Sequence, residues 1–511
     1  MRFLRRHKIL SAAALVVLIV VIAVATLAIR FVASFSPVPL VISKETTYIT
    51  EPLRSDGTPD YVAALNRRLS AGVTLENNAA VLFWKAIGPR AIPRGCRARY
   101  FKLLGVAPLP EKGDYYVALD TEIDRRKREN ELRSAMTRPW SKQEFPALAK
   151  WLETNEKPLT LVVEGTTRPR CYNPLVVESD EEMAMAGCHT RARVFCDFAS
   201  LLVCRAMLRA NDGRADQAWN DLLACHRLAR LVGQGPHVID VFVALTAERL
   251  AQTGERALLQ CAKVTATEIA KMRADLAALC PMPRLVDAVD RGERLFFLDS
   301  VMWLQRPATT ARGARGRAAG PPVASGIDWN MILRMSNSYY DRWVAAARRP
   351  SPKERCAAAE ELNRDLHDQA VAVQSWTSWA SLVIERREGA SRRLGVLLLS
   401  LGALPAGTGG KEDPSRMESE LTRLAFALAQ YRVERGSYPG TLAEVAPRYV
   451  KELPKDIFNN DADLHYVRKG DGYLLYSVGP NGKDDGGKTR DDAKNGENWD
   501  DLVVRMSAAK P

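Results

Sequence analysis

The densest run of potential ligand atoms in this 511-residue chain lies near its end, where Asn481, Asp484, Asp485, Asp491 and Asp492 are interleaved with glycines. Calcium takes six to eight oxygens from carboxylates, amides and backbone carbonyls, held by a tight loop. This loop has the residue types for that task. Its spacing is not that of an EF-hand, because the D-x-[DN]-x-[DN]-G-x₅-E pattern is absent. A calcium-binding loop is one expectation, and a solvated acidic loop is the alternative.

Elsewhere the chemistry-bearing residues do not assemble into a motif. There is no GxSxG, HExxH or strand-linked GxGxxG. The six histidines are scattered, with His226 and His367 in helical runs where a packed or surface role is expected. Glu182 and His189 fit one helical face but lack a third group. The Glu360–Glu361 pair reads as a charged helix surface. Nine cysteines form an odd set without CxxC spacing. Most fall among apolar residues, where a thiol behaves as a small buried hydrophobe. No catalytic and no cofactor-binding residue is therefore expected beyond the acidic loop.

The chain that must position this loop is long enough for two to four domains. It is 47% hydrophobic and 26% charged, the composition of a folded protein. The formal charge of +13 is spread along helical stretches rather than gathered in a stripe, which argues against nucleic acid as a partner. Residues 1–8 carry Arg2, Arg5, Arg6 and Lys8. The following 9–29 are apolar apart from Ser11 and Thr26. At 1.5 Å per residue this segment spans roughly 31 Å, enough to cross a bilayer core. It is longer than a cleavable signal's apolar region and exits without a small-x-small site. The expectation is an uncleaved single-pass transmembrane helix. The basic cluster before it places the N-terminus in the cytoplasm and the bulk of the chain on the periplasmic side of a bacterial inner membrane.

Beyond the anchor, 37–175 reads as a mixed, mainly helical region, with helices near 60–70 and 77–88 and a strand at Leu159 to Glu164. Residues 176–404 read as a helical body, a bundle or irregular solenoid without a clean repeat period. Within it, 306–326 is a basic, Gly/Pro-rich stretch of the kind that forms a flexible loop. Two helices are expected near 327–348 and 352–388. The apolar run Leu394 to Leu404 is too short to span a bilayer. Pro405-Ala-Gly-Thr-Gly-Gly-Lys makes 405–412 a linker.

The last segment, 413–507, starts with Asp413-Pro414, which fits an N-cap followed by Pro at the first helical position. Met417, Leu421, Leu424, Leu428 and Tyr431 then share one helical face, and Gly436 closes the helix. Strands are expected at Leu464 to Val467, Tyr473 to Val478 and Leu502 to Met506, the first two joined by the Lys469-Gly-Asp-Gly turn. The fold class is thus mainly α with a small α+β C-terminal domain.

This segment carries Gly436-Ser-Tyr-Pro-Gly-Thr-Leu, Leu453-Pro-Lys-Asp-Ile-Phe, Gly472-Tyr-Leu-Leu-Tyr-Ser-Val-Gly and later Asn498-Trp499. In this order it resembles the globular domain of type II secretion major pseudopilins, over about a fifth of the chain. The resemblance implies a long helix on a small sheet and calcium in the acidic loop. Two features depart from that family. The anchor lies about 400 residues upstream and lacks its Gly-Phe-Thr-Leu-Ile-Glu signature, and Asn481 stands where the family has Asp. The whole chain resembles uncharacterised bacterial single-pass membrane proteins carrying such a tail. The implied function is a membrane-anchored extracytoplasmic scaffold or interaction protein, set in secretion or envelope organisation and working through protein partners. A membrane-anchored hydrolase with its site in the helical body is the alternative.

Overall fold

The computed structural model describes residues 38–119, 125–179, 182–185, 191–261, 264–305, 326–375, 386–493 and 497–506. The anchor expected at 9–29 and all but Gly326 of the loop expected at 306–326 lie outside them. The protein is 60% helical and 6% strand, and among the described residues a small three-stranded sheet lies near the C-terminus.

In chain order the helices are α1 (Tyr61–Leu69), α2 (Ala79–Ile87), α3 (Arg97–Leu104), α4 (Arg125–Thr137), α5 (Pro146–Thr154), α6 (Glu156–Gly165), α7 (Arg191–Asn211), α8 (Ala215–Val232), α9 (Val238–Cys261), α10 (Ala266–Ala277), α11 (Leu285–Ala288), α12 (Arg294–Gln305), α13 (Trp329–Ala347), α14 (Pro352–Gln374), α15 (Arg386–Gly402) and α16 (Asp413–Arg435). The strands are β1 (Lys455–Asp456), β2 (Ala462–Asp463), β3 (His465–Lys469), β4 (Gly472–Ser477) and β5 (Leu502–Met506). The strand expected at Leu159 to Glu164 is instead part of α6. Its β-branched residues suggest a strand, but Leu159 and Val162, three apart, are both fully buried, which is helical spacing against a core.

The chain divides into two compact units. The first contains the described residues up to Asp60, Phe297–Arg342 and Glu361–Pro405. Here the Pro-rich 38–60 segment is tied down by α13. Asn330 accepts from the Val41 amide at 2.8 Å and donates to the Pro39 carbonyl at 2.9 Å, while Asn337 donates to the Glu45 and Thr46 carbonyls. These amide side chains satisfy backbone groups that irregular chain would otherwise bury unpaired.

The second unit contains Tyr61–Phe296, Trp343–Glu360 and Ala406–Pro511. Helices α7, α8 and α9 pack side by side through small residues; Ala199, Ala218, Ala229 and Ala244 are fully buried. α16 lies against α9 and α10 on one side and against β4 and β5 on the other. The sheet order is β3-β4-β5, antiparallel, with Val467 opposite Leu474 and Leu475 opposite Val504. Gly436, at φ +82°, closes α16 in the left-handed region, where a side chain would be strained. The three strands fall where the sequence put them. The segment 413–506 belongs to the same unit as α7–α9, sharing one apolar core with them.

The start of α16 differs from expectation. Asp413 is the first helical residue rather than the cap, and Glu412 sits at the cap position without a side-chain cap bond. The Asp413 carboxylate is held instead by the Arg355 guanidinium, Nη2 to Oδ1 at 2.6 Å and Nε to Oδ2 at 3.1 Å. Arg355 also donates to the Arg349 and Pro350 carbonyls. A buried, two-pronged contact between opposite charges outweighs a single bond from the carboxylate to a neutral backbone amide. Among the described residues one helical stretch, Arg387–Arg435, is long and apolar enough by length and composition alone to cross a membrane; it is α15 and α16 joined by a 3₁₀ turn at Ala406–Gly410, and this buried Asp413 lies within it. Asp413→Asn is expected to destabilise the second unit by about 3–5 kcal/mol in chemical denaturation, because it strands a buried cation. An Arg355→Met/Asp413→Leu pair should recover most of that loss. A single variant within about 1 kcal/mol of wild type would show that the pair does not hold the α16 start.

Candidate functional site

Helices α8 and α9 each place charged residues on an otherwise apolar, core-facing surface. His226 and Arg230 are one turn apart on α8, and Glu248 and Glu255 are two turns apart on α9, so each pair shares a face. The His226 Nδ1 lies 2.8 Å from Glu248 Oε2, and its Nε2 lies 2.9 Å from Glu255 Oε1. Arg230 donates to Glu248 Oε2 at 2.7 Å. Two cations thus meet two carboxylates in the interior.

Burial alone would push the imidazole pKa down. The two flanking carboxylates overcome it and hold His226 at about 10. Burial likewise opposes ionisation of Glu248, yet the His226 charge and then Arg230 bring it to about 2. With both ring nitrogens engaged by carboxylates and the ring protonated at neutral pH, His226 has no lone pair to offer as a base or to a metal. The group clamps α8 to α9. It also floors a cleft of about 240 Å³ whose other wall includes Arg416, Ser419 and Arg423 from α16. In that cleft Gln252 donates to Ser419 Oγ at 2.7 Å, while its own Oε1 is buried without a hydrogen-bond partner.

The acidic loop is only partly assembled from the residues expected there. Asn481 and Asp485 come together, Nδ2 to Oδ2 at 3.1 Å. They are joined by Asp500 and Asp501, just before β5, which the spacing argument missed. Asp501 accepts from the Gly487 amide at 2.7 Å, and the Asn481 amide points at Asp500. Gly479 allows this approach: at φ +70°, a Cβ there would sit 2.2 Å from the Asp500 carbonyl. Burial pushes the Asp500 and Asp501 carboxyls up, and the neighbouring charge of Asp485 adds to it. Asp484 turns away to accept from Tyr476 at 3.0 Å. Asp492 pairs with Arg505 at 2.7 Å, which, with the Thr489 bonds, holds its carboxyl well below the usual range. Asp491 is exposed beside it on the same turn.

Among the described residues, no group of three or more His, Cys, Asp or Glu side chains is arranged to hold a metal ion. The Asp485, Asp500 and Asp501 carboxylates instead accept largely from loop amides. Asp500 and Asp501 stand between Trp499 and β5, and both are buried. His189 lies outside the described residues, and Glu360 and Glu361 are exposed on α14. Compared with models of known protein families, with curated proteins and with solved structures, the chain matches none.

The His226 cluster makes stability pH-dependent in a defined direction. The folded imidazole pKa, about 10, is raised above the unfolded 6.5. Its contribution is therefore complete below about pH 6.5 and disappears as pH rises through about 10. Glu248, lowered from 4.5 to about 2, contributes above about pH 4.5 and loses this as pH falls towards 2. The unfolding free energy of wild type minus that of His226→Gln should shrink between pH 7 and 10. A difference that stays constant across this range would mean the ring is not held charged.

Proposed function

We propose that this protein is a membrane-anchored extracytoplasmic scaffold or interaction protein of the bacterial inner membrane, whose C-terminal α+β module meets protein partners in secretion or envelope organisation. The observation that carries the reading is the open edge of the C-terminal sheet. β3 is an edge strand, and β4 beside it is buried along its whole length. Val467 is 48% exposed on that edge, followed by the exposed Arg468 and Lys469. An edge of this kind accepts an extended segment of a partner by strand addition, and the flanking charges limit unspecific pairing. Because 413–506 shares its core with the helical body, the edge is held on a rigid support.

Two measurements test this. Cys261, Cys280 and Cys356 are exposed thiols. A membrane-impermeant maleimide is expected to label them in intact spheroplasts; labelling only after lysis would overturn the location. A photo-crosslinker at Val467 is expected to give one discrete adduct in cells, absent from a control at the exposed Val371 of α14. The same pattern at both positions would remove the edge from the reading.

Calcium belongs to this proposal at the acidic loop, where Asp485, Asp500 and Asp501 are not arranged to hold a metal as they stand and would have to draw together around it with the Asn481 side-chain oxygen, while Asp491 and Asp492 lie outside the set. The support is chemical: three crowded carboxylates, two of them buried, are relieved by a hard cation. Calcium should raise the melting temperature and chelator should lower it, with the effect lost in Asp501→Asn. An unchanged melt would take the metal out of the proposal.

A further inference from the structure

The linker between α10 and α11, the turn after α13 and the first two turns of α16 enclose a second cavity, of about 410 Å³. Five guanidinium groups line it, those of Arg284, Arg348, Arg349, Arg355 and Arg416, against the single lining carboxylate of Glu412. Two further carboxylates stand behind the wall: Asp413 holds Arg355, and Asp290 lies 3.2 Å from Arg348. Five lining cations meet three carboxylates, one of which, Asp290, is shared with Arg294 at 3.3 Å, so at least two positive charges are left over around one small space.

The excess is not evenly shared. Arg355 is fixed in its pair with Asp413, and Arg284 reaches Glu412 at 3.7 Å. Arg416 is 4.0 Å from its nearest carboxylate, Asp413, and its side chain is 63% exposed. Among the described residues Arg349 meets no carboxylate at all. These two forks are therefore available in the lining of the cavity. Ser415, in the first turn of the 23-residue α16, is also in the wall, so the positive end of that helix adds to the field.

We propose that this cavity is a binding site for a phosphate-bearing ligand of charge about −2, a diphosphate or phosphomonoester group, gripped by Arg349 and Arg416. Planar guanidinium forks match phosphate oxygens two at a time, and Glu412 is the only lining carboxylate to repel them. A volume of about 410 Å³ fits a small ligand or a single headgroup rather than a folded surface. The phosphate can be that of a soluble metabolite or of a lipid headgroup, and the two sources share this recognition chemistry. The site is independent of the sheet edge and stands whether or not that edge binds a partner.

The test is calorimetric titration of the full-length protein, in a mild non-ionic detergent at low salt, with inorganic pyrophosphate and separately with a short-chain phosphatidic acid below its micelle concentration. Saturable binding of at least one is expected. It should weaken by about ten-fold or more in Arg349→Ala/Arg416→Ala. The Arg349→Lys/Arg416→Lys pair should fall between, because it keeps the charge and loses the fork. Arg423→Ala, outside the cavity and paired with Glu420, should bind as wild type does. Tighter binding of phosphatidic acid, competed by pyrophosphate, assigns the lipid source; tighter or equal binding of pyrophosphate assigns the soluble one. No saturable binding of either, or binding unchanged in the alanine pair, overturns the site.

Discussion

Helix α16 is the element on which the second unit depends, because it is covered on two opposite sides. A helix with one wet face buries a single stripe at three- and four-residue spacing. Here five consecutive residues, Leu424, Ala425, Phe426, Ala427 and Leu428, are each at most 1% exposed. One side meets α9 and α10, with Phe426 also edge-on to Trp219 of α8 at 5.7 Å, and the other meets the sheet. Burying a full turn in this way removes far more apolar surface from water than a stripe does. It also leaves little room for change: the alanines at 425 and 427 stand where helices approach closely, and larger residues there would overpack both contacts.

The same geometry explains where the charges sit. A double-sided helix brings its own polar ends into contact with the body, so Asp413 needs Arg355 and Ser419 needs Gln252. Deeper in, the two cations and two anions around His226 cancel, so a largely buried ionic group persists beside an apolar core. Interior charge is tolerated only when it is paired and hydrogen-bonded on every side, and this group meets that condition. The consequence for chemistry is negative at His226 itself, since a ring with both nitrogens engaged is a clamp.

Much of this fold was legible in the sequence. The α16 register, the Gly436 stop and all three strands of the main sheet follow from hydrophobic periodicity and turn chemistry. What failed did so for tertiary reasons. Residues 159–164 have strand-like composition, but α6 is shaped by what Leu159 and Val162 pack against. Asp413 has the right neighbour for a cap, yet a partner 58 positions earlier in the chain captures its carboxylate. In the acidic loop, local spacing grouped Asp491 and Asp492 with Asn481, while chain return through β5 put Asp500 and Asp501 there instead. Spacing reads neighbours along the chain; it cannot see a residue delivered by a strand closing a sheet. The arginine cavity was illegible for the same reason, being drawn from three segments far apart in sequence.

The two-sided burial of α16 also has a cost in time. Trp219 and Phe426 are 207 positions apart, and nearly all of that interval must be made before the two rings can meet. At synthesis rates of roughly 5–20 residues per second, the surface of α8 and α9 destined for α16 stays bare for on the order of 10–40 s. Long-range closure of this kind is slow in its own right, because the loop entropy is lost before the contact forms. The nascent helical body therefore carries a sticky face through most of its birth, and the final hundred residues act as its lid. Truncated chains, from interrupted translation or from proteolysis, would expose that face permanently, which makes the intact C-terminus the molecule's own safeguard against aggregation.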